Sequence, residues 1–146
     1  MTFTGEYVPS SMDWVADQVA EYEASNGERA NTLLDTGIPV IIVTMQGRSG
    51  VVRKIALMRV ERDGEYALIA SYGGAPDHPA WYHNIVAHPQ VRIQDGPEPR
   101  AYAVREVTGD ERDDWFALGA AVYAPYTEYQ AKTDRTIPVL VASPTD

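Results

Sequence analysis

The chain has 146 residues and carries 12 Lys and Arg against 21 Asp and Glu, for a formal charge of −9 at neutral pH. That length suits one domain with a real core, because a chain near this size buries roughly 68–70% of the surface it would expose unfolded. The charge argues against general nucleic-acid binding, and the absence of cysteine excludes disulfides, thiolate zinc sites and thiol nucleophiles together.

Residues 10–25 are predicted to form an amphipathic helix capped by Ser10 or Ser11, with Met12, Val15, Ala16, Val19 and Tyr22 at helical spacing and Asn26-Gly27 as the stop. A short second helical piece is expected over Arg29 to Leu34. The polar face of the first helix carries Asp13, Asp17, Glu21 and Glu23, which favours docking on the rest of the fold over lying on an anionic membrane. The period then changes. Ile38 to Met45 is short, β-branched and continuous, which reads as a buried strand, and Gln46 to Gly50 is a turn. Val51 to Glu61 and Glu65 to Ser71 read as strands around the hairpin signal Asp63-Gly64. Gly73 to Pro79 is a loop, and Ala80 to Ala87 a short helix with Pro79 suited to its first turn. Val91 to Gln94 and Ala101 to Glu106 form a further hairpin. Thr108 with Glu111 reads as a capping box opening a helix to about Tyr123, a turn of helix covers 126–133, and Ile137 to Ala142 is a last strand. Six strands joined by hairpins and interrupted by helices predict a β-barrel with helices, α+β in class. Its division is an N-terminal helical segment over 1–37 and a barrel over 38–146. No leader opens the sequence and no apolar run approaches the ~20 residues that span a bilayer, so a cytoplasmic location is expected.

Hydrolase and kinase chemistry find no support. There is no Walker A pattern, no GxGxxG and no serine in a nucleophile elbow. His78, His83 and His88 are spaced by five, which fits neither one helix face nor a metal pattern. The charge distribution is more informative. From Asp35 to Glu61 no acidic residue intervenes, yet Arg48, Arg53, Lys54 and Arg59 fall in that gap. A basic stretch in an acidic protein is read either as charges on solvated strand faces or as the holding place of a small anionic ligand. Within it, Gly47 and Gly50 allow close backbone approach, Ser49 can donate to phosphate oxygens, and Arg48, Arg53 and Lys54 supply cations. Tyr123, Tyr126 and Tyr129 recur every three residues beside Pro125, which suits an aromatic ligand or, alternatively, a packed aromatic stripe.

These pieces fall in an order that resembles one family. The run from Ile38 to Pro144, with VTMQGRSGVVRK, YALIASYGG, HPAWYHNIVAHPQV, YAPYTEY and TDRTIPVLV, is similar to the deazaflavin-dependent nitroreductases of actinobacteria, which use coenzyme F420. The resemblance implies a split β-barrel similar to that of FMN-binding flavin oxidoreductases, and hydride transfer from reduced deazaflavin to a small organic acceptor, quinone-like or nitroaromatic. It implies a phosphate-and-polyglutamate clamp from Gly47, Arg48, Ser49, Arg53 and Lys54. Ile55, Ala56, Leu57 and Met58 would run along the deazaflavin, and Ile69, Ala70, Ser71 and Tyr72 along its other side. Ala80, Trp81, Tyr82, His83 and Asn84 would complete the pocket. Tyr126 would sit by cofactor and substrate, with Tyr123 and Tyr129 shaping the acceptor site and Ser71 and Tyr126 as the catalytic donors. Weak membrane contact at the inner face is left open by the sequence, and no metal is expected. The family turn is commonly one residue longer, and Met58 stands where the family has a tyrosine, which turns the expected acceptor towards quinones. The competing readings are an FMN-dependent split-barrel oxidoreductase and a non-catalytic deazaflavin carrier.

Overall fold

A computed structural model describes residues 3–33 and 36–145. It contains strands β1 (Val40–Gln46), β2 (Val52–Met58), β3 (Glu61–Arg62), β4 (Glu65–Ile69), β5 (Gln90–Gln94), β6 (Pro99–Val107) and β7 (Val139–Pro144). Helices α1 (Asp13–Ala24), α2 (Ala80–Ala87), α3 (Gly109–Val122) and α4 (Pro125–Lys132) lie between them. All neighbouring strands are antiparallel, in the order β2-β1-β5-β6-β7-β4-β3.

The curl of this sheet has a local cause. The single strand expected from Val51 to Glu61 bends at Arg59-Val60, so seven strands form where six are predicted. Arg59 N–H still donates to Pro39 before β1, whereas the Val60 carbonyl already accepts from Ala67 N–H in β4. One bent segment therefore joins the two edges of the sheet, and the fully buried Val60 marks its corner. Above that corner β2 and β4 diverge, and β2 is left as an edge strand paired with β1. Its start alone gains a second neighbour, where Glu6 and Val8 exchange backbone hydrogen bonds with Val52.

Strand alternation then sorts the core. Ile41, Val43, Met45, Leu68, Ile93 and Leu140 fill the barrel interior. The opposite face of β1, Val40 and Ile42, is covered by Val19 and Tyr22 of α1. Ala67, Ile69, Val139 and Val141 pack under Trp115 of α3 and Tyr126 of α4. Tyr22 adds a polar anchor, donating to the Gln94 carbonyl at 3.3 Å and accepting from Gly96 N–H at 2.8 Å.

Several local expectations shift. Helix α1 starts at Asp13, so Met12 stands outside it and is 54% exposed, not part of the packed stripe. Arg29 to Leu33 is not helical: Ala30 is left-handed (φ 54°) and Thr32 bridges to Pro39, with Asn31 accepting from Val40 N–H through its carbonyl. Leu34, the end of that predicted piece, lies outside the described residues. Pro79 is the N-cap of α2, not a first-turn residue. Thr108 is the N-cap of α3, yet no capping box closes. Glu111 is taken instead by both terminal nitrogens of Arg105, at 3.0 and 2.7 Å, and a bidentate charged pair wins over a single cap bond. The Asp63-Gly64 hairpin forms as expected, with both residues left-handed (φ 55° and 84°), as a tight primed turn requires. Among the described residues no helix is long and apolar enough to cross a membrane.

Candidate active site

The divergence of β2 from β4 opens a cleft of about 640 Å³. One side is the edge strand, with Arg53, Ile55, Ala56, Leu57 and Met58. The other is Ile69, Ser71 and Tyr72, backed by Tyr123, Tyr126 and Tyr129, while Ala80, Trp81 and Asn84 of α2 close one end. A second hollow of about 570 Å³ shares Ala80 and Asn84 with the first and is bordered by Gly47, Arg48, His83 and His88. The two form one groove that runs from the tyrosines to the β1–β2 turn.

Most of the residues singled out in the sequence meet along this groove, but not all. Lys54 is not brought to it. Alternation along β2 turns Lys54 to the face opposite Arg53, where its ammonium pairs with Glu23 at 2.7 Å and sits 4.8 Å from the centre of the Tyr7 ring. Arg59 is likewise committed, to Asp95 at 2.7 Å. Arg48 and Arg53 make no hydrogen bond or ion pair with the described residues and border the groove. The stem of Arg53 crosses Gly47 so closely that a Cβ there would stand 2.7 Å from its Cγ. Ser49 is exposed at the turn and left-handed (φ 60°), and lines neither hollow. Ala70 is wholly buried behind the wall. Tyr82 faces away, donating to Glu106 at 2.6 Å; burial and that carboxylate push its pKa up to about 12.

The tyrosine cluster is ordered by ring geometry. Tyr123 and Tyr126 meet edge to face at 5.1 Å, Tyr126 and Tyr129 at 6.4 Å. The Tyr123 and Tyr129 hydroxyls hydrogen-bond to each other at 3.0 Å, and this bond, with burial, pushes the Tyr123 pKa up to about 12. Tyr126 differs. It is only 6% exposed, and its hydroxyl has no hydrogen-bond partner among the described residues. Burial drives its pKa far above the ordinary value of 10, so the phenol keeps its proton. Ser71, 8% exposed, also lines the cleft, and its hydroxyl makes no hydrogen bond among the described residues. Behind both, Gly119 of α3 allows contact with β4, since a Cβ there would lie 2.3 Å from Ile69 Cδ1.

The structure also adds residues that pattern reading missed. Ser10, Ser11, Met12, Trp14 and Leu33 bring the N-terminal segment to the cleft, and Met12, Trp14 and Tyr72 form an exposed apolar rim, the last 62% exposed. The available signal was Trp14 itself, a large aromatic that falls off the packed stripe of α1.

A curled antiparallel barrel, split along an edge strand, with a flat apolar cleft running into a cationic turn, defines a cofactor-dependent oxidoreductase of the split-barrel class. Comparison with known proteins narrows this. The F420H(2)-dependent quinone reductase family matches residues 14–144, and the chain belongs to that family, whose name states both its reductant and its acceptor. It is 32% identical over 126 residues to an F420H(2)-dependent quinone reductase of Mycobacterium tuberculosis, covering 84% of each chain. It is also similar to a solved F420-H2 dependent reductase, at 47% identity and a TM-score of 0.69 over 72% of this chain and 94% of that one. A solved domain-swapped dimer is 42% identical, with a TM-score of 0.71 over 92% of this chain and 100% of the other.

Proposed function

We propose that this chain is an F420H2-dependent oxidoreductase that reduces a quinone-like acceptor in the cleft between β2 and α4. The observation that supports this most is the division of the basic segment: Lys54 and Arg59 are neutralised by carboxylates, while Arg48 and Arg53 stay unpaired along the groove. A planar ring with an anionic tail fits this donor set. The ring would lie against Ile55, Leu57, Met58, Ile69, Ala80 and Trp81, with the unpaired backbone edge of β2 beside it. Gly47, Arg48 and Arg53 would hold phosphate and tail carboxylates, with His83 and Asn84 alongside the path.

When bound, the reduced deazaflavin supplies a hydride, and a quinone that takes two electrons this way also takes up one proton. The protein's task is position and electrostatics. Tyr126, held protonated by burial, and Ser71 are the donors aimed at the oxygen that gains charge, and donors fixed in a dry cleft are worth more than water. Tyr123 and Tyr129 hold the ring of Tyr126 in place and shape the acceptor's side. Nitroaromatics are poorer acceptors in this reading, since Met58 offers a flexible apolar contact without a hydroxyl. The exposed rim of Met12, Trp14 and Tyr72 supports at most peripheral contact of a cytoplasmic enzyme with a membrane.

The test is a titration of the purified protein with F420 and with FMN, followed by menadione-dependent oxidation of F420H2. Preferential F420 binding with turnover is expected. Tighter FMN binding would move the protein to the flavin class, and F420 binding without turnover would make it a carrier.

A further inference from the structure

Resting on that reading, we propose that Arg135 is a positioning residue that fixes the register between two adjoining parts of the acceptor-site wall that faces β2. One part is the loop carrying Ser71 and Tyr72; the other is α4, which backs it and carries Tyr126 and Tyr129. No strand pairing joins loop to helix, so their register needs another cause.

The Arg135 guanidinium supplies one. Its Nε donates to the Ala75 carbonyl at 2.9 Å, Nη1 to Ala70 at 3.2 Å and Nη2 to Ser71 at 2.7 Å, and Nη1 also meets His78 Nδ1 at 2.9 Å. The planar fork thereby gathers both ends of the loop. Between those ends Tyr72, Gly73 and Gly74 are successively left-handed, at φ 48°, 62° and 78°. For a tyrosine this conformation is costly and persists only where the surroundings impose it. Arg135 is itself tied to α4: its carbonyl accepts from Gln130 Nε2 at 2.8 Å, and Gln130 Oε1 accepts from Ile137 N–H and from Arg112 Nη2. The same loop abuts α4 directly, since a Cβ on Gly74 would stand 2.8 Å from the Tyr129 carbonyl oxygen. Among the described residues no carboxylate forms an ion pair with Arg135; Asp77 acts on its charge from farther away, and the direct partners are carbonyl dipoles and His78. An arginine used in this way serves the geometry of the loop rather than a surface ion pair.

The consequence is specific. Loss of the fork should free the Ser71 hydroxyl from its register with Tyr126 while leaving the cationic turn untouched. The test uses Arg135→Ala and Arg135→Lys in the full chain. Amide hydrogen exchange should accelerate across 71–76 and 126–130 but not in β1 or β5. F420 affinity, read by fluorescence, should move by less than about fivefold, while kcat/KM for a quinone falls on the order of 10²-fold, as expected for donors misplaced by about 1 Å. Added methylguanidinium should restore part of the rate in Arg135→Ala, and Arg135→Lys should recover little, because one ammonium cannot reach four acceptors in a plane. Unchanged loop exchange would overturn the clamp. Faster exchange with unchanged kcat/KM would overturn the positioning role, and so would an equal loss of every constant without rescue. If Arg135→Ala does not fold, the exchange pattern and kinetics of Arg135→Lys decide the same question. A wild type that oxidises no F420H2 would refute the proposed function instead, and the exchange measurement would still decide the clamp.

Discussion

Adjacent cations on one strand should behave as opposites. Arg53 borders the groove without an ion pair, and Lys54 is turned to the other face and bound to Glu23. Arg53→Ala should therefore remove a charge-assisted hydrogen bond to the cofactor, worth about 1.5–3 kcal/mol. That corresponds to roughly a 10- to 150-fold rise in the F420 dissociation constant, at about 1.4 kcal/mol per tenfold. Lys54→Ala should leave affinity within about twofold and should lower stability instead. The Lys54 and Glu23 side chains are 21% and 33% exposed, so their pair belongs at the upper end of the surface range, and the contact with the Tyr7 ring adds to it. Together these contribute about 1–2 kcal/mol, a loss of roughly 2–8 °C in Tm for a chain of this size. Fluorescence titration with F420 and thermal denaturation of the two single variants separate the roles. Equal losses of affinity in both variants, or none in Arg53→Ala, would refute the assignment of the two faces.

Tyr126→Phe keeps the ring and removes a hydroxyl that has no partner among the described residues, so Tm and F420 affinity should hold while kcat with menadione falls on the order of 10²-fold; an unchanged rate would leave Tyr126 as packing only. Gly119→Ala places a methyl 2.3 Å from Ile69 Cδ1 and should cost about 1–3 kcal/mol by overpacking, read by chemical denaturation. His78 is held neutral, its pKa lowered by burial and then by Arg135 and His83, against the raising influence of Glu106 and Asp77, with the Tyr82 ring packed on it. The unfolded chain takes up this proton near pH 6.5 and the folded chain only below that, so stability present above about pH 6.5 should be lost as pH falls towards the folded pKa. The fall in Tm from pH 7 to pH 5 should therefore be smaller in His78→Ala than in the wild type, and equal slopes would show that His78 does not set it.

The parts of the fold legible in the sequence are those with a local cause. Helix α2 runs over Ala80–Ala87, where the sequence places it after Pro79, and Asp63-Gly64 makes its turn because two left-handed residues are needed there. The bend at Arg59-Val60 was not legible: the alternation continues through it, and only pairing with two different partners reveals the corner. The opposite faces of Arg53 and Lys54 were legible from the period of two but were obscured by charge, which groups neighbours that a strand separates. The share of Trp14, Met12 and Leu33 in the cleft was out of reach, because a helical stripe says which face is apolar and not what lies beyond its end.

That separation explains how a protein of charge −9 can hold an anionic cofactor. The sequence leaves a stretch free of acids around four cations, but the fold returns two carboxylates to it, Glu23 from α1 and Asp95 just after β5. Two cations are consumed in fastening the helix and the barrel end. Two remain, Arg48 and Arg53, both on the groove side of one hairpin. At physiological ionic strength, charges beyond about 8 Å are largely screened. The acidic remainder of the surface therefore weighs little on a ligand lying in the groove. The field felt there is set by the side chains that touch it, and the strand period, more than the net charge, decides which those are.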